Sequence, residues 1–134
     1  MSYLVSTKGR YALRVMLDLA ENTDRGYIPL KEIAERQEIS LKYMETIMPK
    51  RTKAGFVNAI QGKGGGYKLS GPADQFSVGD ILSVTEENLG TTACVENGFI
   101  CPRMDNCKTI KVWKNLDNLI DEYLKTISLT DLLE

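Results

Sequence analysis

The sequence contains no histidine, a single tryptophan, four prolines and only three cysteines among its 134 residues. Without histidine there is no Ser-His-Asp or Cys-His catalytic arrangement, and no histidine-containing metal site can be built from one chain. No base–nucleophile constellation of another kind appears, so the expectation is a protein that is not an enzyme. No apolar run approaches the roughly 20 residues that cross a bilayer. The start, MSYLVSTKGRYALRVM, mixes charge into its apolar positions and lacks the apolar core of a signal peptide. These absences lead to the expectation of a soluble, cytoplasmic protein without a membrane partner. Internal repeats and low-complexity segments are missing too, and 43% hydrophobic with 26% charged residues is ordinary globular usage.

Net charge is also nearly absent, at −1, but its distribution is uneven. Residues 1–68 carry 12 basic and 7 acidic side chains, a net of +5, whereas residues 69–134 carry 5 basic and 11 acidic, a net of −6. A basic first half points to a polyanionic partner there, and an acidic second half to a different task. Cys94, Cys101 and Cys107 all fall within 14 residues of that acidic half. An odd number of cysteines is poor material for a disulfide framework. Their clustering points to a metal or a redox switch.

The pattern predicts mainly helix. Ala12, Leu13, Met16, Leu17 and Ala20 form one stripe of a helix from Ser6 to about Asn22. Asp24-Arg25-Gly26 reads as a turn, and Pro29 suits the first position of a short helix to Arg36. Ser40 is a good N-cap for a third helix that starts at Leu41, with Leu41, Met44, Ile47 and Met48 on its inner side. Pro49 should kink or restart that helix, and Gly55 should stop it. Residues 56–69 read as a β-hairpin whose tip is the glycine-rich run Gln61-Gly62-Lys63-Gly64-Gly65-Gly66. Ser77-x-x-Asp80 begins a helix to about Asn88, a cysteine loop spans 89–107, and Ser128-x-x-Asp131 caps a last turn. Between them Ile110, Trp113, Leu116, Ile120, Leu124 and Ile127 form the stripe of a long helix. Such a stripe either pairs with its twin across a two-fold axis or packs on its own domain.

Three helices followed by a hairpin give the layout of a winged helix-turn-helix, covering residues 1–72, with residues 73–134 adding the cysteine loop and the long helix in one compact unit. In that module the third helix enters the DNA major groove and the wing touches the backbone or minor groove. Ser40 and the helix N-terminus can donate to phosphate, while Tyr43 and Glu45, with Thr46 on the same helix, can face base edges. Lys8, Arg10, Lys42, Lys50, Arg51, Lys53 and Lys63 supply phosphate-neutralising charge. The wing-tip glycines, Gly64 among them, allow close backbone approach to a polyanion, and Gln61 beside them can hydrogen-bond to it. The alternative is a solvated Lys/Glu face and a merely tight turn, since helix–turn–helix–wing units also serve as protein-interaction modules. A Walker motif is excluded, because no Gly-Lys-Ser/Thr follows and Tyr67-Lys68-Leu69 continues as a strand. The spacing Cys94-x6-Cys101-x5-Cys107 lacks the paired CxxC units of structural zinc. It suits an iron–sulfur cluster with a labile or borrowed fourth ligand, free thiols, or a thiol/disulfide sensor.

Taken together, several segments resemble the bacterial IscR-type family of winged-helix regulators, whose members include NsrR and CymR. They are Ser6-Thr7-Lys8-Gly9-Arg10-Tyr11-Ala12-Leu13, Ile28-Pro29-Leu30-Lys31-Glu32-Ile33-Ala34, Ile39-Ser40-Leu41-Lys42-Tyr43-Met44-Glu45, Gly64-Gly65-Gly66-Tyr67 and Ile127-Ser128-Leu129-Thr130-Asp131-Leu132. The resemblance covers essentially the whole chain. It implies a homodimeric transcription regulator, a repressor, bound to double-stranded operator DNA. It also implies an iron–sulfur cluster, 2Fe–2S with 4Fe–4S as the alternative, on Cys94, Cys101 and Cys107. A cluster-free thiol or metabolite sensor acting with a partner protein is the competing expectation. Two departures stand out. Where IscR has a histidine three residues after the third cysteine, this chain has Ile110, so Asp105, Glu96, a backbone group, a small thiol or the other subunit must supply the fourth ligand. Where the wing commonly carries arginine, this chain has Gln61, which can hydrogen-bond but brings no charge.

Overall fold

The computed structural model describes residues 5–85, 102–103 and 106–134. The first helix, α1 (Thr7–Glu21), is capped by the Ser6 hydroxyl, which accepts from the Gly9 N–H at 3.1 Å. Its inward face holds Gly9, Ala12, Val15, Met16, Leu19 and Ala20, a run of positions three and four apart. This helix is the hub of the molecule: α2 (Leu30–Gln37), α3 (Leu41–Lys53), α4 (Val78–Thr85), α6 (Leu129–Leu132) and strand β2 (Gly66–Leu69) all pack against it. Pro29 is the N-cap of α2, so the helix begins at Leu30, one residue later than expected, and Ile33 and Ala34 are the residues α2 buries.

Between α2 and α3 the chain turns through Glu38, whose φ of 56° and ψ of 42° lie in the left-handed region. Ile39 then drops into the core and Ser40 caps α3 by accepting from the Tyr43 N–H at 3.1 Å. Pro49 does not restart α3, which runs as one helix to Lys53 with the proline inside it. Pro49 and Glu45, whose carbonyl loses its donor to the proline, are both exposed, so water can serve that carbonyl. The helix also differs at its start, where Leu41 is exposed and the buried stripe is Met44, Ile47, Met48 and Arg51.

Strand β1 (Val57–Ile60) follows α3 directly and pairs antiparallel with β2, Val57 opposite Leu69 and Ile60 opposite Gly66. Ile28 adds an isolated antiparallel bridge to the hairpin that the sequence did not announce, exchanging both backbone hydrogen bonds with Tyr67 at 2.9 and 2.8 Å. Two of the consecutive glycines at the tip are required by close approach. A Cβ on Gly65 would lie 2.1 Å from the Ile60 carbonyl oxygen, and one on Gly66 would lie 2.3 Å from the carbonyl of Ile28. Further along, Ser77 accepts from the Asp80 N–H at 3.0 Å to start α4, whose described part ends at Thr85. The C-terminal segment comes back beside it: the Val78 N–H donates to Ile127, and the Leu129 N–H to Phe76. Ser128 and Asp131 complete both halves of a capping box at α6. Phe76, Ile81 and Leu129 therefore belong to the same apolar core as α1 and α3.

The long helix α5 (Ile110–Lys125) lies against α4 and buries no residue fully. The expected stripe divides in two. Trp113, Ile120 and Leu124 are half-buried, whereas Leu116 belongs to a second, exposed row with Val112, Leu119 and Tyr123, the last two each 64% exposed.

Candidate nucleic-acid interface

The outer surface of α3 is built by the same periodicity that buries its inner one. Ser40, Leu41, Lys42, Glu45, Thr46, Lys50 and Lys53 are exposed. Ser40 uses its side-chain oxygen for the cap, which fixes the helix N-terminus and directs its free N–H groups outward. Thr46 donates its hydroxyl proton to the Tyr43 carbonyl at 2.6 Å, leaving its oxygen as an acceptor. Tyr43 is only half exposed. Its ring meets that of Tyr11 edge-on, with centroids 5.6 Å apart, and the Arg14 guanidinium lies 5.4 Å from the Tyr11 ring centre. Tyr43 thus ties α3 to α1 as well as bordering the outer face.

The wing brings Gln61, Lys63 and Gly64 together at an exposed turn, with Gly64 at φ +80°. Lys8 is half-buried in the first turn of α1, and the exposed Arg10 donates to the Thr7 hydroxyl at 3.1 Å. Among the described residues, Lys42, Lys50, Lys53 and Lys63 form no salt bridge. Their charges are available to a partner.

Arg51 is different. It was expected among the phosphate contacts, but it is 1% exposed, and its Nη1 donates to the Ile47 carbonyl at 2.8 Å. Position 51 is four residues beyond Ile47 and seven beyond Met44, so the inward stripe carries it into the core, where its aliphatic stem packs. A phosphate cannot reach it there, and Arg51 leaves the set of DNA-contact residues.

Other arginines are also committed internally. Arg25 grips Glu32 with both terminal nitrogens at 2.6 and 2.8 Å, and Arg36 joins Glu32 at 2.5 Å while binding Asp18. Hydrogen bonds from Arg25 first, then Arg36, pull the Glu32 carboxyl down from its ordinary 4.5 to about 2. Arg14 donates to the side chain and the backbone carbonyl of Gln37, at the end of α2. The planar, forked guanidiniums of Arg14, Arg25 and Arg36 are engaged with carboxylates and carbonyls of their own chain, whereas Lys42, Lys50, Lys53 and Lys63 stay exposed as point charges. Sequence reasoning missed this because charge alone does not separate the two.

Of the metal-ligand candidates, Cys94, Cys101, Glu96 and Asp105 lie outside the described residues. Cys107 is half-exposed just before α5, its sulfur 3.2 Å from the Thr109 hydroxyl. That hydroxyl first, then the backbone N–H groups of Thr109 and Ile110, hold its thiol below the ordinary value. A thiol biased toward thiolate at a helix start is the form that metals and oxidants take.

The sequence profile of the Rrf2 family, iron-dependent transcriptional regulators, matches residues 5–134. The chain is 39% identical over 129 residues to the HTH-type transcriptional regulator IscR of Cronobacter sakazakii, covering 96% of this chain and 79% of that protein. Its fold is similar to the solved structure of IscR from T. potens, with a TM-score of 0.77 and 36% identity over 96% of this chain and 85% of the other. It is also similar to CymR, the global cysteine regulator of B. subtilis, with a TM-score of 0.80 and 30% identity over 98% and 96%. These relatives are regulators rather than enzymes, and the mainly helical fold with its two-stranded hairpin is theirs as well. With a helix-turn-helix whose third helix faces outward, a profile match over nearly its whole length and relatives of this identity, the chain belongs to the Rrf2 family and is a transcriptional regulator of the IscR type.

Proposed function

We propose that two copies of this chain form a repressor that binds double-stranded operator DNA through α3 and the wing, with an iron–sulfur cluster on Cys94, Cys101 and Cys107 modulating that binding. The observation that carries the DNA-binding part is the outer face of α3. There a capped N-terminus, the carboxylate of Glu45 and lysines that form no ion pair among the described residues stand together on one rigid element. Ser40, Lys8, Lys42 and Lys63 neutralise or hydrogen-bond phosphates, Gln61 and Gly64 bring the wing backbone close, and Glu45 and Thr46 meet base edges, with Tyr43 at their border. Glu45, an acceptor only, selects a cytosine N4 amine.

The dimer is supported by the exposed row Val112, Leu116, Leu119 and Tyr123, spaced four, three and four along α5. This four–three–four spacing is the one that helix–helix seams use. A partner α5 running along it would bury that row, and a two-fold pair of recognition helices suits an operator with two half-sites about one helical turn apart.

The cluster reading is supported by three thiols in a short segment and by the lowered thiol of Cys107, since iron takes thiolate. When bound, such a cluster supplies a redox-active, iron-dependent link at the foot of α5. With no histidine in the chain, Asp105 and Glu96 are the fourth-ligand candidates. The protein purified without oxygen should carry two irons and two sulfides per chain, lost in Cys101→Ala, and should shift operator DNA in a salt-dependent way. The likeness to CymR favours a second reading, a cluster-free thiol regulator acting with a partner protein. Colourless, iron-free protein from cells competent in cluster assembly would select it, and no DNA shift at any salt would overturn both.

A further inference from the structure

Leu41 is the first residue of α3, and 40% of it is exposed. Met44, Ile47 and Met48 on the same helix form part of the core, but Leu41 belongs neither to that cluster nor to the half-buried hydrophobics packed on it. A scattered surface leucine needs no explanation; its position here does. Helical side chains lean toward the N-terminus, so Leu41 projects past the first turn, beside the cap Ser40. It also shares a helix face with Glu45, four residues on, and both are exposed. The surface at the tip of α3 is therefore one apolar side chain framed by a hydroxyl, an ammonium and a carboxylate.

A partner that matches this surface must present an apolar group among hydrogen-bonding ones. In the major groove, the C5-methyl of thymine is the apolar group on a base edge. We infer that Leu41 reads a thymine methyl, a specificity contact that rests on the DNA-binding reading above. Leu41 and Glu45 are about 6 Å apart along the helix axis. Base pairs are stacked about 3.4 Å apart, so the thymine lies one or two steps from the pair that Glu45 reads. Lys42, between them in sequence, supplies charge without discrimination.

The test begins with an operator selected from randomised duplexes by the full chain purified without oxygen. Each thymine is then replaced singly by deoxyuridine, which removes the methyl alone, and Kd is measured for the unaltered protein, Leu41→Ala, Leu41→Met and Glu45→Gln. One thymine per half-site should lose about fourfold in affinity with the unaltered protein, as expected for one buried methyl. At that position Leu41→Ala should bind thymine and uracil equally, while Leu41→Met and Glu45→Gln should still prefer thymine. The salt slope of Leu41→Ala should match that of the unaltered protein, which shows that its DNA-binding surface is intact. A flat deoxyuridine scan, or a thymine preference that survives in Leu41→Ala, would overturn the inference. If no duplex is enriched and no salt-dependent binding appears, the DNA-binding reading itself fails and takes this inference with it.

Discussion

Arg36 holds Asp18 with two nitrogens, Nε at 3.0 Å and Nη2 at 2.7 Å, and this clamp joins the second helix to the hub helix. The partners are unequal. The Asp18 side chain is 1% exposed and that of Arg36 is 33% exposed. Gln37 adds a third donor to the same carboxylate at 2.9 Å. Because Gln37 is followed by the left-handed turn at Glu38, the clamp also sets where α3 begins.

That inequality predicts asymmetric mutants. Arg36→Met leaves a buried carboxylate with only Gln37 to serve it and should lower unfolding free energy by about 3 kcal/mol. Asp18→Ala leaves a guanidinium that can turn into water, so its loss should be smaller by about 1 kcal/mol. Urea unfolding of the two variants checks the order. Equal losses would mean that the carboxylate gains water when the arginine leaves.

Glu32 gives a pH prediction. Arg25 and Arg36 hold its carboxyl at about 2 against an ordinary 4.5. The folded state therefore favours the ionised form, and the stability this adds is complete above pH 4.5. It fades as pH falls toward 2, because the unfolded chain takes up the proton first. Thermal unfolding of the protein and of Glu32→Gln should differ above pH 4.5 and converge as pH approaches 2. A constant difference across that window would contradict the cause assigned here.

Much of the local structure is legible in the sequence. Helix starts at Ser6, Ser40, Ser77 and Ser128 were readable because a cap is a contact over three residues, and the hairpin because its turn residues are adjacent. What was not legible depends on distant parts of the chain. Ile28 bridges to the hairpin only because Tyr67 returns beside it. Glu38 takes a left-handed turn with no glycine to announce it. The capped start of α3 and the glycine-rich wing tip are legible in the sequence, whereas Arg51, which its charge assigns to the outer face, lies on the inner side of α3. The extrapolated inner stripe stopped at Met48, and composition offered no sign that a cation would continue it. Leu41 differs in the opposite sense, since apolar character alone assigns it inward and it is exposed.

Gly66→Ala tests the junction between the wing and Ile28. The added methyl would meet the Ile28 carbonyl at 2.3 Å, and the obstacle is backbone, which cannot rotate away. The loss should be about 2–3 kcal/mol, at the upper end of overpacking effects. Gly71→Ala is the control, because its nearest neighbour is the flexible end of Gln75 at 3.1 Å. A small, tolerable change in melting temperature is expected there, so similar losses in both variants would argue against a specific clash at residue 66.

Lys42 and Arg51 are nine positions apart on one helix and carry the same charge, yet their replacement should have unrelated effects. Lys42→Ala removes an exposed point charge, so affinity should fall about equally for every duplex. The slope of log affinity against log salt should become shallower by about 0.9 if one phosphate contact is lost. Arg51→Ala removes a buried stem from the core beside Ile47 and should cost about 2–4 kcal/mol of folding stability. Whatever fraction of Arg51→Ala remains folded should keep the original salt slope, because its charge never reached the DNA. Thermal unfolding and salt titrations on both variants separate the two roles. A shallower slope for Arg51→Ala at full folding would return Arg51 to the interface.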